Sequence, residues 1–133
     1  MATANLNRDY HEIVSGNDDI VIVNALGDIA GGRTLDVSDV ASGTSVLKAG
    51  HVIISKTTEE GTTFKPMPLN SGGTAYGSLP AGYSYVGVLK ATIPVSDPRA
   101  AIVTIGQING AASPFPITSG IKTGLPRIEF LYV

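Results

Sequence analysis

Two runs decide the fold: Tyr83-Ser84-Tyr85-Val86-Gly87-Val88-Leu89 and, past turn signals at Pro94 and Asp97-Pro98, Arg99-Ala100-Ala101-Ile102-Val103-Thr104-Ile105-Gly106-Gln107-Ile108. Both are rich in β-branched and aromatic residues and are bounded by turn formers, so they read as partnered strands. Each has a glycine near its centre, Gly87 and Gly106. A glycine there contributes no side-chain packing and points to a bulge or a close backbone approach, as a small curved barrel requires.

Upstream, Val46-Leu47 and a Lys48-Ala49-Gly50 turn lead into His51-Val52-Ile53-Ile54-Ser55, a strong strand signal. The charged stretch Lys56 to Gly61 reads as an exposed hairpin tip, and Thr62 to Pro68 as the returning strand. Pro66 and Pro68 cannot donate to a ladder, so this strand must lie at an edge or end there. Residues 70–83 form a long Gly/Ser/Tyr connection. Nearer the start, Asn17-Asp18-Asp19 is a turn cluster, and Ile20-Val21-Ile22-Val23 reads as a short strand buried on both faces or at a subunit contact. Gly27-Asp28 and Gly31-Gly32 are expected to break the chain, with residues 33–37 as a weak second strand. Residues 1–16 are polar with scattered apolar positions and read as an extended arm.

Downstream, Ser113-Pro114-Phe115-Pro116 is placed to open a helix, because proline is tolerated in a first turn and Ile117, Ile121 and Leu125 recur at i, i+4 and i+8. Gly120 and Gly124 weaken it, and Pro126 ends it. Arg127 to Val133 is a final strand, apolar enough that it must be paired in the fold or by a neighbouring subunit. The expectation is a mainly β, barrel-like domain over residues 17–133 with one short helix, preceded by an N-terminal arm at 1–16.

Composition supports that class. The chain has 133 residues, 16 of them Gly and 8 Pro, and only 15% are charged. Folded soluble monomers ordinarily carry about a quarter charged residues, so part of the surface is expected to be covered in an assembly. Net charge is −2, but residues 1–45 hold seven acidic side chains against Arg8 and Arg33 while the remainder is net +3. No dominant basic surface for nucleic acid is present. The opening residues lack a basic region followed by an apolar run, so no signal peptide is expected. The longest aliphatic run, Ile20 to Val23, is far too short to cross a bilayer. A soluble protein made in a cytoplasm follows as the expectation.

Chemistry is sparse. With no cysteine there are no disulfides, thiolate metal sites or cysteine nucleophiles. His11 and His51 are the only histidines and are read as surface or strand-edge residues. Asp18, Asp19 and Asp28 lack the spacing of a calcium loop and read as turn formers. Neither a Gly-x-Ser-x-Gly elbow nor a Gly-x-x-x-x-Gly-Lys phosphate loop occurs. Acid, base, nucleophile and oxyanion donors cannot be assembled. No enzyme activity, cofactor or metal is expected.

The order of features from Val46 to Asn109 carries a resemblance. Leu47-Lys48-Ala49-Gly50-His51-Val52-Ile53-Ile54 is followed by Phe64-Lys65-Pro66-Met67-Pro68-Leu69, then Ala75-Tyr76-Gly77-Ser78-Leu79-Pro80-Ala81-Gly82, Tyr85-Val86-Gly87-Val88-Leu89, and Ala100-Ala101-Ile102-Val103 leading to Gly106-Gln107-Ile108-Asn109. This resembles the head fibre proteins of small Bacillus podophages and crAss-like phages, and more loosely the lambda-type head decoration family. The resemblance covers about half of the chain, and the first 45 residues lie outside it.

The resemblance implies a virion protein without enzymatic activity, synthesised in the host bacterial cytoplasm and bound to the capsid exterior as a homotrimer. Its partners would be itself, the major capsid protein, and another head fibre protein or a host-surface glycan, with no nucleic acid and no membrane. On that footing Leu6, Tyr10 and Ile13 are the candidate capsid-binding positions of the arm, by strand addition to a sheet edge. Ile20, Val21, Ile22 and Val23 with Tyr83, Tyr85, Phe130 and Tyr132 are the candidate trimer contacts, since aromatic anchors are enriched at interfaces. The alternative is a carbohydrate-binding adhesin stacking sugars on Tyr76 and Tyr83.

Overall fold

The computed structural model describes residues 18–132, and the arm with its candidates Leu6, Tyr10 and Ile13 lies outside them. The elements run α1 (Asp18–Val21), β1 (Ile22–Thr34), β2 (Val46–Leu47), β3 (Val52–Thr58), β4 (Gly61–Pro66), β5 (Ser84–Leu89), β6 (Ile93–Pro94), β7 (Arg99–Asn109), α2 (Ser119–Gly124) and β8 (Ile128–Leu131). The mainly β class holds. One six-stranded sheet has the order β1-β7-β5-β3-β4, with β8 on β7, and β2 with β6 forms a separate two-stranded ribbon.

The two deciding runs become β5 and β7, and β7 is the spine of the sheet. Its residues pair with β1 along one edge, so β5 (at Ile102 and Val103) and β8 (at Gly106 to Asn109) share the other. The sheet therefore forks after Val103, and α2 packs against β5, with the Tyr85 ring against Gly124. The β7–β8 pair is parallel. A parallel neighbour needs a crossover, which residues 110–127 with α2 supply, so the apolar final strand is paired inside the fold. α2 starts later than the Pro114 signal suggests: the Thr118 side-chain oxygen accepts the Ile121 N–H at 3.3 Å and caps it.

Gly87 and Gly106 behave as expected. A β-carbon on Gly87 would run into the Val103 carbonyl, and one on Gly106 into the Asn24 carbonyl. Beside Gly87 the β3–β5 register slips by one residue, leaving Val86 as the extra one. β4 is an edge strand and does end at Pro66.

Two expectations near the start fail. Ile20-Val21-Ile22-Val23 is split between a helical turn and the head of β1, because Val21 turns inward to pack beneath Gly50 and joins the core. Gly27-Asp28 and Gly31-Gly32 do not break the chain. β1 passes through both and absorbs them as register shifts against β7. The expected strand at 33–37 is the end of β1 plus an isolated parallel bridge from Leu35 to Phe64.

Alternation along the strands fills two cores. Val52, Ile54, Val88, Val103 and Ile108 join one with Ile121, Leu125 and Ile128; Ile53, Leu89, Ala100 and Ile102 join the other with Leu35 and Leu47. Each fully buried aliphatic side chain contributes roughly 2 kcal/mol. Ile29 of β1 and Phe64 of β4 both pack on the second core, so the sheet curls. It stays open as a barrel, and β4 meets the residues just past β1 where Leu35 bridges to Phe64 and the Asp36 N–H donates to the Phe64 carbonyl at 2.8 Å.

Candidate functional site

A cleft of about 670 Å³ opens between the 36–48 segment and the loop following β4, with Pro114 and Phe115 on its wall. That size is in the range of small-molecule sites. His51, Tyr76 and Phe115 meet edge to face beside it, with ring centroids 5.3–5.7 Å apart. The imidazole Nε2–H donates to the Met67 carbonyl at 3.0 Å, and burial pushes the His51 pKa down to about 4 against the pull of that hydrogen bond. His51 is thus a buried neutral histidine rather than the surface or strand-edge residue expected, and its N–H is engaged in holding the loop after β4.

The Tyr76 hydroxyl accepts the Val52 N–H at 3.0 Å, and burial pushes its pKa up. Removing that oxygen strands a buried donor, which costs about 2 kcal/mol. Tyr76→Phe is expected to lose that much in urea denaturation while keeping the native fold.

Lys65 is buried next to an exposed partner: its Nζ donates to Asp39 Oδ2 at 2.7 Å and lies 4.5 Å from the centroid of the Tyr83 ring. The bond to Asp39 raises the Lys65 pKa. Sequence reading missed this pair, because Asp39 and Lys65 are 26 residues apart and come together only when the sheet curls. Among the described residues no group of three His, Asp or Glu side chains is placed to hold a metal.

The predicted contact residues do not form one cluster. Tyr76 is buried, so it offers no sugar platform. Val21 is core, and Ile22, Tyr83, Tyr85 and Phe130 are half-buried against the same core, which takes them out of a free aromatic patch. Tyr132 is exposed with Lys122 Nζ 4.9 Å from its ring centroid. Ile20 and Val23 are 56% and 47% exposed, and Leu26, which sequence reading passed over, is 70% exposed. Its signal was present as the charge-free run Ile20 to Gly27, but burial on one side of a strand cannot be told from exposure by residue type alone.

β1 has thirteen residues, and among the described residues it pairs only with β7, so its outer edge has no described neighbour. Inward from that edge, from β1 across β7 to β8, runs a groove of about 560 Å³ lined by Gly106 with Asn24, Leu26, Gln107, Arg127 and Glu129. Comparison with protein-family models, with curated proteins and with solved structures returns no match to this chain.

Proposed function

We propose that this chain is a structural virion protein that binds the outer surface of a phage capsid as a trimer, decorating the head or forming the base of a head fibre. The observation that carries it is the outer edge of β1, unpaired among the described residues, with large apolar side chains exposed beside it on a chain with few charges. Long uncovered edges are an aggregation hazard unless a defined neighbour covers them. The order of motifs from Val46 to Asn109 supports the phage head as the place where that happens. A trimer that touches several capsid subunits gains avidity, so each contact can be modest.

No reaction is proposed for the cleft, whose histidine is neutral and committed to a backbone carbonyl. The adhesin alternative loses Tyr76 as its platform and is not carried forward. Mixing the purified protein with undecorated heads and imaging them is expected to give trimeric density at local threefold axes, and bare heads would defeat the reading.

A further inference from the structure

We propose that the outer edge of β1 and the turn leading into it, carrying Ile20, Val23 and Leu26, is the surface by which copies of this chain bind one another. The inference rests on the self-association in the functional reading and adds where it occurs. Three of the five exposed large apolar side chains among the described residues fall within these seven consecutive positions.

β1 and β4, the two ends of the main strand order, are treated differently. β4 is short, ends in Pro66, carries the charged Glu59-Glu60 turn at its start and is bridged by Leu35. These are the usual protections of an edge strand. β1 is the longest strand, and the run from Ile20 in the preceding turn to Gly27 has neither a charge nor a proline. The first charge, Asp28, is already paired with Lys90 at 2.9 Å.

A second copy is the occupant the charges favour. Two identical uncharged patches meet without repulsion even on a chain of net −2. The groove beside Leu26 adds Arg127 and Glu129, opposite charges two residues apart, which can be complementary between copies. From Ile20 to Gly27 there is no charge for a strongly charged partner to pair with.

The absence of native cysteine makes the test clean. Light scattering should give wild type a mass three times 13.7 kDa. Leu26→Asp and Val23→Asp should run as single chains with unchanged circular dichroism and raise the half-assembly concentration about a hundredfold. Leu69→Asp, at an exposed position elsewhere, should remain assembled. Oxidised Leu26→Cys should form covalent pairs on a native fold, and Thr62→Cys, beside the other edge, should not.

An assembled wild type that Leu26→Asp leaves intact and Leu26→Cys does not cross-link overturns this surface while leaving the functional reading standing. A two-copy assembly dissolved by Leu26→Asp supports the surface and overturns the trimer. A wild type that stays single at high micromolar concentration overturns both.

Discussion

Gly87→Ala is expected to cost about 3 kcal/mol or more of folding stability, read as a large fall in the urea midpoint. The added β-carbon would meet the Val103 carbonyl and lie 3.1 Å from Ile102 Cγ2. A side chain could rotate out of the way, but a carbonyl in a ladder cannot, so β5 would have to part from β7. The two strands share only the pairs Val88–Val103 and Leu89–Ile102. Those four side chains are fully buried, two in each core, so separation loosens both faces of the sheet together. Gly43→Ala is the matched control. No atom lies within 4 Å of a β-carbon there, and the change should stay within about 0.5 kcal/mol. Equal stabilities for the two variants would show that the β5–β7 approach is not as close as described.

Gly106→Ala bears on the other edge of β7, where the obstruction is the Asn24 carbonyl of β1. Because β1 carries the proposed self-contact, this change should weaken assembly as well as stability, whereas Gly87→Ala acts on the core first. The two glycines thus separate the contribution of the sheet's interior from that of its edge.

Both glycines were readable as special from their place inside β-branched runs, and so were the hairpin of β3 and β4, the edge position of the Pro66 strand and the terminal strand. These signals are local: period-two alternation, a turn former or a missing N–H donor. What was not legible depends on contacts distant in sequence. Asp39 reaches Lys65 only because the sheet curls. Tyr76 sits in a long Gly/Ser/Tyr connection, and its role as an acceptor emerges only when the Val52 N–H, 24 residues earlier, donates to it. The run Ile20 to Val23 is uniform in residue type, yet Val21 is core and both Ile20 and Val23 are in water. The glycines of β1 read as breaks, because residue types alone do not show that β1 meets β7 with four register shifts.

Acid should destabilise the domain through His51. Its pKa in the folded chain is about 4 against an ordinary 6.5, because burial favours the neutral ring. A histidine held neutral contributes its full stability above pH 6.5, where neither state binds the proton. As pH falls below 6.5 the unfolded chain protonates first, and stability drops until the folded chain protonates as well near pH 4. The gap corresponds to about 3 kcal/mol. Asp36, whose pKa is lowered by its hydrogen bonds with Ser38, acts only at and below 3.8, under this window. Lys65 bounds the other side: its raised pKa means its contribution is present below 10.5 and is lost as pH rises through the folded value. Asp36, Asp39 and Lys48 share the cleft with His51, and the window set by the histidine's own shift runs from about 4 to 6.5. Urea unfolding across that range should therefore show a slope that His51→Gln removes, since an amide can still donate to the Met67 carbonyl but takes up no proton. A variant that is less stable at pH 7 yet keeps the acid slope would assign the slope to other groups and leave His51 a packing residue alone.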